Sequence, residues 1–330
     1  MAAITVVAFT GDTVERHSVA DVAGLLERPE TLVWVDIPEC SDEAVTMLTD
    51  VLHCHPLAVR DCMQRNRVPR VRIYPHQQLL ILHGPERGPS GHIHYLELDQ
   101  LIGDKYVVTV HGPINPNLSI EIALRETDAV RRRLESGRFR PSSPYELSHA
   151  ITSALTHGLE AFIEELTSDV WQLEQRVTGG HMGNPEAFLE ELFQARHGLL
   201  AVRTMGALGA EVYGRIAALG TRVPAEELPL INDVVDQLNR IRALADGERE
   251  YLQGVIEFYR VRAETKMTIA AERLAVIAVV TLPITALSSI YGMNVIVHDT
   301  TQTTQLIVIL SIMAVMSALL LTWAKRRGWW

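Results

Sequence analysis

Apolar residues are distributed unevenly along this chain. Over residues 1–140 they fall in short alternating or β-branched runs, Ile4–Phe9, Thr31–Ile37, Leu79–His83, His92–Leu101 and Tyr106–His111, broken by Gly, Pro and Asp. Such runs predict strands, with Ser18–Leu26 and Glu43–Leu52 reading as helices between them. Beyond residue 140 the period lengthens. Ser143-Pro144-Tyr145-Glu146 supplies an N-cap, a proline at the first helical position and a capping-box glutamate. The helix it opens runs to a stop at Gly179-Gly180, and a second opens at Asn184-Pro185 and ends near Gly220. A third starts near Pro229 and meets no Pro or double Gly before Pro283; carried on to Tyr291 it has 63 residues, about 95 Å at 1.5 Å per residue.

The last stretch is apolar almost throughout. Leu274–Val297 has 24 residues without a charge and Thr300–Ala324 another 25. About 20 such residues cross a bilayer core, so two spans are expected. Arg262, Lys266 and Arg273 precede the first, Lys325, Arg326 and Arg327 follow the second, and the loop between has no Lys or Arg. The positive-inside rule then puts both termini in the cytoplasm of a multi-pass protein of the cell (inner) membrane. The N-terminus lacks the basic region of a secretory signal. The expected layout is an α+β chain: an α/β domain (1–140), a helical hairpin (141–228), a stalk helix continuing into the first span (229–291), an outer loop (292–304), the second span (305–324) and a basic tail (325–330).

Charge narrows the partners. With 40 acidic against 30 basic residues the net charge is −10, which argues against nucleic acid as a ligand. Cys40, Cys54 and Cys62 form no CxxC pair and no even disulfide set. His53-Cys54-His55 has the donors of a zinc site but lacks a fourth ligand at a familiar spacing. Glu160, Glu164, Glu165, Asp169 and Glu174 read as a solvated helix face that would gather cations, and Arg65, Arg67, Arg70 and Arg72 as surface or intersubunit pairing groups. No nucleophile–base pair, phosphate loop or carboxylate dyad marks an enzyme.

Tyr291-Gly292-Met293-Asn294 closes the first span. In that position, behind a long helix and before a second span and a basic tail, the chain resembles the CorA family of divalent cation channels, whose signature is Gly-Met-Asn. The resemblance is firm from about Pro229 onward and faint across residues 1–50. It implies a funnel-shaped homopentamer embedded in lipid, with five first spans around a pore. Mg2+ gives up its waters reluctantly, so Asn294 carboxamides and Gly292 carbonyls are suited to read the hydrated ion; both residues also favour plain helix ends. Thr281, Thr285, Ser288 and Gly292 share one helix face, which Thr268, Ala271, Leu274 and Ala278 extend inward. That face suits a watery lumen with Leu274 and Leu282 as apolar constrictions, and equally suits close helix packing. Pro283 cannot donate to the carbonyl of Val279, so a kink or a freed carbonyl is expected.

A second matching segment is His55-Pro56-Leu57-Ala58-Val59-Arg60-Asp61. The resemblance makes Asp61 a regulatory metal ligand facing Glu257 of a neighbouring copy, with Asp233 at a further inner site. Bound Mg2+ would hold copies together and close the pore; the competing reading pairs Asp61 with Arg60, Arg65 or Arg67, and Glu257 with Arg260. The expected cargo is Mg2+, with Co2+, Ni2+ or Zn2+ as further candidates. The outer loop departs from the family, offering Asp299 alone where many Mg2+-selective members carry several acidic residues. A Zn2+ transporter of the same fold, proton-coupled or passive, and a two-span membrane metal sensor therefore stay open.

Overall fold

The structure is a computed structural model describing residues 3–11, 13–88, 91–113, 115, 116, 118–180, 183–218, 223–292 and 303–326, the side chains of 291, 292, 305 and 306 excepted. Two compact units emerge, Met1–Val255 and Ile256–Trp330.

The first unit opens with strands β1 (Thr5–Thr10) and β2 (Thr13–His17), then a 3-10 turn leading into α1 (Val22–Glu27). There follow β3 (Thr31–Ile37), α2 (Asp42–Thr46) with a π-type turn at Met47–Val51, α3 (Pro56–Met63), β4 (Arg70–Ile73), β5 (Gln77–Arg87), β6 (Ile93–Gly103) and β7 (Tyr106–Val110). The strands make one sheet in the order β2-β1-β3-β7-β6-β5-β4. Only β3 and β7 pair in parallel. Alternation sorts the side chains: Val6, Val33, Val35, Ile81, Leu101 and Val108 meet α1, α2 and α3 on one face. Val7, Phe9, Trp34, Leu98 and Val107 turn to the other. There they meet α5 (Arg125–Glu135), which follows the single turn α4 (Ile120–Ala123), and the start of α6 (Pro144–Gly179).

The two strands the sequence hid, β2 and β4, are the sheet's edges. Thr13-Val14-Glu15-Arg16-His17 and Arg70-Val71-Arg72-Ile73 carry charges where a central strand would carry core residues, as edges do. The helix signals map directly. Ser143 Oγ accepts from Glu146 N, and α6 stops at Gly180, whose φ of 78° is the left-handed conformation glycine adopts without strain. Asn184 Oδ1 accepts from Glu186 N as α7 (Pro185–Ala218) begins.

α8 (Leu228–Gly292) gives its part up to Val255 to the first unit and the rest to the second. Val234, Leu238, Ile241 and Leu252 are buried. Gly206 of α7 lets the helices close: a Cβ there would lie 3.0 Å from the Leu238 carbonyl oxygen. The second unit also holds α9 (Thr303–Arg326).

Candidate ion path and acidic sites

In the second unit the apolar stretch of α8 and Ile307–Arg326 of α9 are long and apolar enough to cross a membrane. Their side chains stay uncovered within one chain: Leu274 is 66% and Leu282 67% exposed, and Ile307, Leu310, Val315 and Leu319 are similarly open. α8 is nonetheless two-sided here. The positions losing exposure are Val276, Ala278, Val279, Val280, Pro283, Ile284 and Leu287. At 3.6 residues per turn all of these but Ala278 centre about 140° around the helix from Leu274, Thr281, Thr285 and Ser288. Those four, with Thr268, Ala271 and Leu282, are exposed; Ala278 is half-buried.

The threonine hydroxyls of this stretch, Thr281 and Thr285 on this face and Thr268 further back on the helix, are already oriented. Thr268 Oγ1 donates to the Glu264 carbonyl (3.0 Å), Thr281 Oγ1 to that of Ile277 (2.8 Å) and Thr285 Oγ1 to that of Thr281 (2.8 Å). Each hydroxyl hydrogen is thus engaged by the helix, and the remaining oxygen lone pairs suit water molecules that donate, as those around a cation do. Pro283 lies within the continuous helix. Tyr291 and Gly292 form its last two residues; Met293 and Asn294 lie outside the described residues.

The acidic positions divide between the units: Asp61 and Asp233 belong to the first, Glu257 to the second. His55 caps α3, its Nδ1 accepting from Leu57 N, with Pro56 at the first turn. This aims Asp61 inward: its side chain is 6% exposed, 2.5 Å from Arg72 Nε and 3.9 Å from Arg60. Its main partner is thus Arg72 on β4, brought near by the sheet rather than by sequence proximity. Asp233 is exposed on α8 and accepts from Gln237 (2.6 Å), with His149 Nε2 at 2.7 Å. The His149 bond first, then Gln237, outweighs burial and lowers its pKa. Glu257 is exposed, and Arg260 donates to Glu264 at 3.0 Å.

Two acids escaped the sequence reading. Glu97 and Asp99 occupy alternate positions of β6 on the face that buries Leu101, and that register with a core leucine was the available signal. Glu97 accepts from Asn66 N (2.7 Å) and Asn66 Nδ2 (2.6 Å). Asp99 is wholly buried beside it; burial, then the Glu97 charge, raises its pKa well above the ordinary carboxylate range. The zinc reading at His53-Cys54-His55 does not hold. Cys54 is buried, which pushes its thiol up to about 12, and His55 is the α3 cap. Among the described residues no three His, Cys, Asp or Glu side chains converge as a metal cage. The α6 acids are partnered more than expected, Glu160 with Arg240, Asp169 with Arg87 and Glu174 with the Tyr251 hydroxyl.

A sheet domain, a helical layer and a long helix that becomes the first of two apolar spans define a two-span membrane protein with a large water-exposed domain. Residues 29–326 match the family of CorA-like Mg2+ transporter proteins, and the chain belongs to that family: it is a divalent metal ion transporter, not an enzyme. Over 312 residues it is 23% identical to YfjQ of Bacillus subtilis (strain 168), named for metal ion transport, covering 92% of each chain. It is 21% identical over 306 residues to the cobalt/magnesium transport protein CorA of Thermotoga maritima, covering 91% of this chain and 84% of that one. The complete structure of the CorA magnesium transporter from Methanocaldococcus jannaschii superposes with a TM-score of 0.79 at 14% identity, covering both chains fully. The ZntB cytoplasmic domain from Vibrio parahaemolyticus gives 0.63 at 11% identity, covering 80% of this chain and all of that one.

Proposed function

We propose that five copies of this chain form a pore carrying Mg2+ across the cell membrane, with both termini in the cytoplasm and the ion read in its hydration shell at Gly292-Met293-Asn294. The observation that carries this reading is the two-sidedness of α8. Its hydroxyl-bearing face, Thr281, Thr285 and Ser288, lies opposite most of the positions that lose exposure within one chain. Oxygens whose hydrogens are already bonded to the helix would accept from the waters of a hydrated ion without stripping them, and Mg2+ holds those waters strongly. Leu274 and Leu282 would narrow the same lumen with apolar rings, and Co2+ or Ni2+ of similar size and hydration would follow the same route. Regulation would come from Mg2+ between Asp61 and Glu257 of neighbouring copies, with Asp233 as a further inner ligand. For Asp61 this requires exchanging Arg72 for the metal.

A Zn2+ cargo, proton-coupled or passive, is the second reading; the single outer-loop carboxylate Asp299 favours it, because fewer charges concentrate Mg2+ less at the mouth. A metal-sensing role without transport predicts no flux at all. The direct test is Asn294→Ala, assayed by ion flux in proteoliposomes and by native mass. The proposal expects an intact pentamer with flux lost. Wild-type flux from a folded Asn294→Ala pentamer would leave Gly292 and Asn294 as a helix end only, and a dimeric or tetrameric mass would remove the pore.

A further inference from the structure

Between the end of β5 and the start of β6, Gly88 N donates to the His92 carbonyl at 2.8 Å. His92 and His94 lie two residues apart, so their side chains leave the same face of the hairpin. Their rings meet edge to face with centroids 4.3 Å apart, and the two Nε2 atoms stand 3.0 Å from each other. His92 is exposed and His94 half-buried, so solvent ions reach them. Beneath both nitrogens lies Gly88: a Cβ there would sit 2.7 Å from each Nε2 atom. Any larger residue at position 88 would crowd both nitrogens.

We propose that His92 and His94 form a two-imidazole site for a divalent transition-metal ion of the zinc class. Two Zn–N bonds of about 2.0–2.1 Å at a tetrahedral angle separate their nitrogens by about 3.3 Å, so the rings need open by only a few tenths of an ångström. Asn115 Nδ2 lies 3.0 Å from His94 Nδ1, and a half-turn of that amide exchanges its nitrogen for its oxygen at the same place. In the metal-bound site Asn115 turns its carbonyl to the ring, accepts the Nδ1 hydrogen and frees the Nε2 lone pair for the ion, the outer-shell bond that orients ligating histidines. Glu86, paired with His94 across the β5–β6 register, is held by Arg125 at 3.1 Å; water, and Glu86 when it leaves Arg125, complete the shell. Imidazole nitrogens select zinc, cobalt, nickel or copper over Mg2+, a hard ion that takes oxygen ligands. The site therefore distinguishes metal classes whichever ion the spans carry.

The test uses the full-length protein in detergent, titrated with Zn2+ alone and with Co2+ alone, followed by calorimetry and by the visible absorption of bound cobalt. Wild type should bind one more Zn2+ per chain than His92→Ala, and the cobalt band that this variant loses should persist in excess Mg2+. Gly88→Ala should lose the same equivalent with both imidazoles present, because its methyl crowds both nitrogens. Melting in metal-free buffer checks that His92→Ala, altered at an exposed residue, stays folded. Identical Zn2+ stoichiometry and cobalt spectra in wild type and His92→Ala would overturn the proposal, as would displacement of the cobalt by Mg2+.

Discussion

Asp36 shows how one residue ties the sheet to the helices over it. It is buried on β3, with His111 Nε2 at 2.9 Å, the Thr109 hydroxyl at 2.6 Å and Arg131 Nη2 at 2.5 Å. Burial alone would raise its pKa, but His111, Thr109 and Arg131 together outweigh it and lower it below the ordinary 3.8. A depressed carboxylate pKa stabilises the fold fully above the unfolded value, and that contribution disappears as pH falls through the folded one. Asp36→Asn leaves the Arg131 and His111 groups without their carboxylate and should cost about 3–5 kcal/mol near neutral pH. Melting of both proteins against pH checks it: the gap between them should narrow below about pH 4. A gap unchanged down to pH 2 would mean that Asp36 acts through packing alone.

Among the elements, what the sequence showed and what it hid follow from burial. The strands β1, β3, β5, β6 and β7 and the helices α6, α7 and α8 bury regular apolar faces, so their periods were readable along the chain. β2 and β4 are edges without such a face, and α3 was noticed as a motif before it could be recognised as a helix. The acidic sites were half legible. Asp61 could be picked out, but its partner Arg72 lies on an edge strand that only the sheet brings close. Glu97 and Asp99 carry no motif of their own, and only their register with buried Leu101 places them inside. For α3 and α8 the regulatory proposal makes its own forecast. Asp61→Asn with Glu257→Gln should leave conduction intact, remove protection from proteolysis by millimolar Mg2+, and keep the pore open at internal Mg2+ that closes the wild type. Unchanged protection and unchanged inhibition would leave Asp61 as the structural partner of Arg72 and move control to other acids such as Asp233.

At the scale of the whole molecule, two apolar helices that bury little within one chain follow a unit with a well-formed core of its own. Spans with this much uncovered apolar surface need lipid on one side, and the hydroxyl-bearing face of α8, a poor match for lipid, needs water or other copies on the other. That division of surfaces, with membership of the CorA-like Mg2+ transporter family, is why the account centres on ion passage through assembled copies rather than on sensing or catalysis. The most direct measurement is uptake by proteoliposomes containing the wild-type protein, with Mg2+ and Zn2+ compared side by side and an imposed proton gradient present or absent. The account predicts Mg2+ entry down its own gradient, independent of the proton gradient and faster than Zn2+ entry. Zn2+ entry that requires the proton gradient, with no Mg2+ entry, would contradict it.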